Sequence, residues 1–417
     1  MKLYFNQSFI SRRNFQIMNF VLICFSVGLL TLGFDIQAQP KPEFKRAIIY
    51  PTLIELNPLE KQNFSVTMLP TRLQHSYIPD DVKWYVNDIP GGNDTYGIID
   101  QDGNYTAPAV VPSPPEINIV ARVEKATNKY LWATVLLGEP AYTLVDEFSE
   151  SGDNREYFVS THSVTLDIDG NLLITDEESD RVFRMTTDGE YLGDVGSYAD
   201  HRANFIIPRI AVSDTSGNTF VLDEKADSRR IQVFSAEEKL INEFGEKGTG
   251  SGHILRGHGL VINSDQNIFV TDIDNMRVNA YSSDGRFLYD FGKDGLEPQN
   301  FNAPHGLAID ANDDLFINDY YGPVKKFGKG GNFVFAFAYP VDGIRHYHTV
   351  NTDHFGNVYL LGLQGIYKYN NHGDFITHWD LGEPGLSARW AAVDSAGRIY
   401  VAFKGDHKSG IKVFVPD

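Results

Sequence analysis

Between Val164 and Val413 one phrase recurs six times: apolar-x-apolar-Asp-x-x-Gly-Asn-x-aromatic-Val, with some drift between copies. One of the fuller copies is Ala211-Val-Ser-Asp-Thr-Ser-Gly-Asn-Thr-Phe-Val221, where Ser213 takes an apolar place. Anchored on the position of Asn218, the copies fall at Asn171, Asn218, Asn267, Asp314, Asn357 and Arg398, spaced by 47, 49, 47, 43 and 41 residues. A period of this length limits the fold to arrays in which each copy is one supersecondary unit. Nine residues upstream of each anchor stand His162, Arg209, His258, His305, His348 and Arg389. The slot holds His or Arg every time.

Each copy reads as an innermost strand ending near the Asp, a tight turn, a second strand and a loop. A third strand (Arg230–Phe234, Arg277–Tyr281) and a fourth (residues 286–291) follow. Four strands per repeat, arranged radially, make a β-propeller blade. The last copy stops at Val413-Phe-Val-Pro416, after its third strand, and Tyr142-Thr-Leu-Val-Asp-Glu-Phe148 is similar to the fourth strand of the third blade. Sewing that segment into the final blade closes the ring and removes an exposed edge. The expected fold class is all-β: a six-bladed β-propeller over residues 142–417, preceded by a small β-sandwich.

The sandwich is expected over residues 42–138. Ala47-Ile-Ile-Tyr50, Asn63-Phe-Ser-Val-Thr67, Val82-Lys-Trp-Tyr-Val86 and Ile117-Asn-Ile-Val-Ala-Arg-Val123 are largely apolar on alternate positions. Turn clusters such as Pro90-Gly-Gly-Asn93 and Gln101-Asp-Gly-Asn104 separate them. Trp84 is placed in the core between two sheets. The stretch from Trp84 through Gly97-Ile-Ile-Asp-Gln-Asp-Gly-Asn-Tyr-Thr-Ala-Pro108 resembles bacterial Ig-like domains of surface and secreted proteins. That resemblance implies a spacer or adhesion module.

Residues 1–38 read as a signal peptide, with Arg12-Arg13 leading into an apolar run from Phe20 to Gly33 and Ala38 as the cleavage point. The alternative is an uncleaved N-terminal anchor, since the apolar stretch from Phe15 to Phe34 approaches spanning length. Either way the expected location is secreted, periplasmic or at the cell surface, with a membrane partner only if the segment is uncleaved. The one cysteine, Cys24, lies inside this segment. Cleavage would leave no disulfide, no Cys–zinc site and no thiol catalysis.

Net charge is −19, and −21 without the first 38 residues, which hold Lys2, Arg12 and Arg13 against Asp35. So acidic a chain repels nucleic acid and anionic membrane surfaces. Against that background the His/Arg slot stands out. In a propeller the innermost strand begins beside the central channel, so the six slot residues should ring one channel mouth. Two chemistries follow. His162, His258 and His348 occupy alternate blades, and three converging imidazoles with an open position suit a catalytic divalent metal such as zinc. Alternatively Arg209, His305 and Arg389 make a cationic cup for a carboxylate, sulfate or phosphate. A small anionic ligand, a peptide or a protein outside the cell would then be the partner.

Other acidic motifs read as scaffold. The turns Asp167 to Asn171, Asp214 to Asn218 and Asp353 to Asn357 lack the ligand density of a calcium loop, and tight hairpins explain them. Asp176, Asp223 and Asp272 each precede an Arg (Arg181, Arg230, Arg277), which suggests bracing ion pairs. Glu177-Glu178, in the first blade's loop, reads as a solvated charge pair or as a base. There is no Gly-x-Ser-x-Gly elbow, no His-Glu-x-x-His and no phosphate-cradling glycine loop.

Ala303-Pro-His-Gly-Leu-Ala-Ile-Asp310 and Val270-Thr-Asp-Ile-Asp-Asn-Met-Arg-Val278 resemble the NHL repeat family, which implies a six-bladed propeller without fixing its function. A second resemblance is to peptidyl-α-hydroxyglycine α-amidating lyases, NHL-type propellers whose zinc is held by His in Pro-His slots of alternate blades. Ala303-Pro-His-Gly is similar to such a slot, and Asn318-Asp-Tyr-Tyr-Gly322 places Tyr321 where that family carries its catalytic Tyr. This chain departs from the family in two places. The Asp that follows one zinc His there is replaced here by Ser163, Gly259, Gly306 or Thr349, and Leu361-Gly-Leu-Gln-Gly stands where a substrate-binding Arg is expected. Two functions are therefore expected. One is a ligand- or protein-binding module acting through the His/Arg mouth; the other is a metal-dependent lyase or hydrolase.

Overall fold

The computed structural model describes residues 44–70, 77–149, 158–196, 205–224, 229–295, 297–338, 347–362 and 365–417. The signal or anchor expected over residues 1–38 lies outside them. The described residues hold strands and turns and no helix.

Six four-stranded antiparallel sheets follow the six copies of the phrase. Their first strands are Thr161–Leu166, Pro208–Ser213, Gly257–Ile262, Pro304–Ile309, Tyr347–Thr352 and Ser387–Val393. Each first strand packs against the next, and the sixth packs back on the first, so the ring closes as a β-propeller. Closure is made by Tyr142–Ser149, which pairs antiparallel with Ser409–Pro416 from Tyr142↔Pro416 to Ser149↔Gly410. The last sheet thus joins both ends of the ring, as the sequence pattern requires.

The Asp-x-x-Gly-Asn phrase builds the hairpin between first and second strands. Asp167 Oδ1 accepts the N–H of Asp169 and of Asn171, at 3.0 and 2.8 Å, while Gly170 takes φ +81°. Asp214 does the same for Ser216 and Asn218, and Asp353 for Phe355 and Asn357. The carboxylate oxygen therefore satisfies turn amides. Between sheets, alternate residues of the strands interlock in apolar layers. One large cluster joins Val164, Ile210, Leu260, Trp390 and Ala402 around the axis.

Ahead of the propeller lie a five-stranded sheet, a four-stranded sheet and a two-stranded one. Glu116–Arg122 pairs with both Tyr130–Leu136 and Lys83–Val86. Trp84 is buried in the core these sheets share. The expected turn at residues 90–93 is instead a corner, where Ile89–Pro90 belongs to one sheet and Gly92–Asn93 to another. Gly91 and Gly92 supply the positive φ that the corner needs.

Residues Pro42 to Asp417 form one compact unit. The N-terminal sheets meet the propeller through polar contacts and through the buried Trp132, which lies against Gly356. Lys368 Nζ lies 2.6 Å from Glu116 and 2.9 Å from the Tyr142 hydroxyl, with both charged side chains buried. Arg46 pairs with Asp314 at 2.7 Å, and Tyr130 and Asn312 exchange two hydrogen bonds.

Candidate metal centre

In all six sheets the ladder between first and second strands breaks at the His/Arg slot. The register shifts between Thr161 and Ser163, Pro208 and Ile210, Gly257 and Leu260, Pro304 and Leu307, Tyr347 and Thr349, and Ala388 and Trp390. A β-bulge takes a residue out of the strand's alternation and re-aims its side chain. The slot is a ring of bulges.

The backbone entering these bulges is pinned by buried carboxylates at the ends of second strands. Asp176 accepts the N–H groups of Val159 and Ser160 at 2.9 and 2.7 Å. Asp223 accepts that of Ile206 at 2.8 Å, and Asp272 those of Leu255 and Arg256 at 3.0 Å. Asp319 holds Ala303 at 2.6 Å. Burial raises the carboxyls of Asp176, Asp223 and Asp272 above their ordinary range, Asp223 to about 6. The bracing pairs expected from sequence form for Asp223–Arg230 at 3.0 Å and, more loosely, Asp272–Arg277 at 3.7 Å. The expected Asp176–Arg181 pair does not form: Arg181 reaches across its own blade to Asp194 at 2.6 Å, and Asp176 is filled by amides and Ser179.

The bulges bring four imidazoles into contact. Ring centroids of His162 and His258 lie 5.0 Å apart, those of His258 and His348 5.3 Å, and those of His162 and His348 5.9 Å. His305 packs 3.5 Å from His258 and 4.9 Å from His348. Three rings hand Nδ1 to the backbone carbonyl of the next slot. His162 points at Arg209 O (2.6 Å), His305 at His348 O (2.7 Å) and His348 at Arg389 O (3.1 Å). Nδ1 facing a carbonyl carries the proton, which leaves the lone pair on Nε2. Burial drives all four imidazoles toward the neutral form, His162 and His305 down to about 3 and His258 and His348 well below the usual histidine range. Neighbouring cations, Arg209 at His162 and Arg389 at His348, push the same way.

These residues fit a metal. One nitrogen from each of His162, His258 and His348 lies within 4.8 Å of the other two. The rings are neutral, as ligation requires. The carbonyls behind two of them are the outer partners that metal-bound histidines usually have. His258 Nδ1 is buried with no partner among the described residues, a cost of about 1–3 kcal/mol unless something binds that ring. A tetrahedral zinc sets its ligand nitrogens roughly 3.4 Å apart, inside the 4.8 Å that bounds these three.

Arg209, the first cation of the expected anion cup, is already neutralised: it meets Glu177 at 2.7 Å and Glu224 at 2.6 Å. Glu177 is thus an ion-pair partner rather than a solvated charge, and Glu178 is held by Lys404 at 2.9 Å. Arg389 has no carboxylate among the described residues; its NH1 lies 3.1 Å from His348 Nε2, and its Nε is buried and unpartnered. Tyr321 sits in the loop between Leu315–Asp319 and Val324–Phe327 and is exposed. The ring against the site is its neighbour Tyr320, 5.1 Å from His305. Sequence reasoning also misses Trp390, which is buried 5.8 Å from His258 and 6.4 Å from His162. Its signal is visible in the alignment of the blades: the residue after the slot is Ser163, Ile210, Gly259, Gly306 or Thr349 elsewhere, and Trp only here.

No protein-family model matches the chain. Two curated proteins from Xenopus laevis, peptidyl-glycine alpha-amidating monooxygenases B and A, are 31% and 30% identical to it over 143 residues. The likeness is to one part of longer proteins. It takes in 32% of this chain but 16% and 15% of the relatives, so the chain spans about a sixth of their length. Among solved structures, a streptogramin B lyase is 13% identical with a TM-score of 0.47, covering 66% of this chain and 98% of that one. A gluconolactonase from Xanthomonas campestris gives 13% and 0.49, over 62% and 86%. A protein of unknown function from Bacteroides thetaiotaomicron gives 12% and 0.49, over 91% and 99%.

Proposed function

We propose that the channel mouth is the active site of a metal-dependent lyase or hydrolase, with His162, His258 and His348 as ligands to a divalent cation, zinc by chemistry. The observation that carries this reading is the convergence of three neutral imidazole nitrogens within 4.8 Å, two of the rings oriented by backbone carbonyls. The partial similarity to amidating monooxygenases and the resemblance of the Pro-His slot to amidating lyases point the same way. A bound cation would supply a Lewis acid with an open position. His162 and His348 would hold it through Nε2 while Nδ1 stays on the carbonyls. Trp390 excludes water from one side of the rings. Tyr320, against His305, is better placed than Tyr321 to meet a reacting group.

Export, the NHL-type and Ig-like affiliations, and a spacer or adhesion role for the N-terminal sheets belong to the same proposal. The test is metal content and titration of the purified protein with zinc, then of the His162→Ala, His258→Ala and His348→Ala variants. Stoichiometric zinc in the parent, lost at least a hundredfold in each variant, is the expected result. A parent that takes up no zinc, manganese, iron or calcium sinks the reading.

A second reading, a binding module for small anions or anionic groups of a peptide or protein partner, is favoured by Arg389, whose charge no carboxylate offsets. Arg209 contributes little to it because Glu177 and Glu224 hold its guanidinium.

A further inference from the structure

Arg389 grips both nitrogens of one imidazole. Its backbone carbonyl faces His348 Nδ1 at 3.1 Å, and its guanidinium NH1 faces His348 Nε2 at 3.1 Å. With the proton on Nδ1, Nε2 has one lone pair, and the guanidinium N–H donates to it. That lone pair is the one His348 would offer as a ligand. Of the two slot arginines, only Arg389 is so placed. Arg209 is drawn away by Glu177 and Glu224, whereas Arg389 has no acid among the described residues and leaves Nε buried without a partner. An arginine set in a mouth of neutral rings, with its hydrogen bond spent on an imidazole, is held by a weaker acceptor than a carboxylate. It can be displaced.

We infer that Arg389 caps the metal centre: its guanidinium and a metal ion compete for the lone pair on His348 Nε2, so loading the site releases the arginine into the channel mouth. This rests on the metal reading of His162, His258 and His348. The cap acts twice against the metal. It occupies a ligand atom, and it brings a positive charge beside the place where a second would sit. Removing it therefore tightens metal binding, which is the reverse of what damage to the mouth would do.

The experiment is a zinc titration of the whole protein against a chromogenic chelator, for the parent, Arg389→Met and Arg389→Lys. Lys keeps the charge but has neither the reach nor the planar fork of the guanidinium. Arg389→Met is expected to bind zinc about tenfold tighter, the factor that 1.4 kcal/mol corresponds to, and Arg389→Lys severalfold tighter than the parent. Equal or weaker binding by Arg389→Met overturns the cap while the three-His reading stands. Tightening in Met with parent-like binding in Lys also overturns it, because charge alone would then be acting. If parent and variants all fail to bind zinc, the metal reading itself fails and takes the cap with it.

Discussion

Asp223 illustrates how single residues hold the backbone that leads into the slot. Its carboxylate is fully buried, takes the N–H of Ile206 three residues ahead of Arg209, and meets Arg230 at 3.0 Å. Burial outweighs both partners and raises its pKa from 3.8 to about 6. The folded state thus binds this proton more tightly than the unfolded chain does. Asp223 favours folding most below pH 4, and that contribution is lost as pH rises from about 4 to about 6, by at most roughly 1.4 kcal/mol per pH unit. Asp223→Asn keeps an acceptor for Ile206 and cannot titrate. Urea unfolding of parent and variant between pH 4 and 7 should show the variant gaining on the parent by about 2–3 kcal/mol across that window. A difference that stays flat with pH would mean that Arg230 holds the carboxylate ionised throughout.

At the level of elements, the alternation of apolar residues and the Asp-x-x-Gly-Asn turns were enough to place the strands, including the segment at residues 142–148 that closes the ring. They could also align the six slot residues, which stand at one equivalent bulge in each blade, because the slot keeps a fixed distance from each turn. The bulges were not legible. Period-two alternation says which face a residue takes, and a bulge suspends that rule for a single residue. The ion pairs were half legible: an Asp followed by an Arg does not say whether the Arg turns back to it, as Arg230 does, or crosses to Asp194, as Arg181 does. Two bulges left a trace in glycine. A Cβ on Gly306 would stand 2.4 Å from Asn318 Oδ1 and 2.7 Å from Thr349 Cα, so the fourth and fifth first strands approach there only because the side chain is missing. Gly306→Ala should cost about 1–3 kcal/mol by overpacking and shift His305 and His348 apart. Thermal unfolding reads the first effect, and zinc affinity, lowered relative to the parent, reads the second. An unchanged melting temperature would show that the bulge can open without penalty.

At the scale of the molecule, a buried ion pair stands where the N-terminal sheets and the propeller meet. Lys368 and Glu116 are 2.6 Å apart with side-chain exposures of 5% and 4%, and the ammonium also holds the Tyr142 hydroxyl at the start of the closing strand. Burial alone would push the Lys368 ammonium toward neutrality, but Glu116, Tyr142 and Asp353 together hold it charged and raise its pKa. A pair so deeply desolvated adds little net stability compared with an apolar pair, yet removing one partner leaves a bare charge in the interface, at a cost of about 3–5 kcal/mol. Because the contact joins two separate cores, the loss should appear as uncoupling rather than general weakening. The parent is expected to unfold in one calorimetric transition, and Glu116→Ala in two, the sheets of residues 44–137 melting first. Glu116→Leu combined with Lys368→Met should restore the single transition, since the coupling energy between contacting residues is recovered when both charges go. Two transitions already present in the parent would show that the buried pair does not couple the halves.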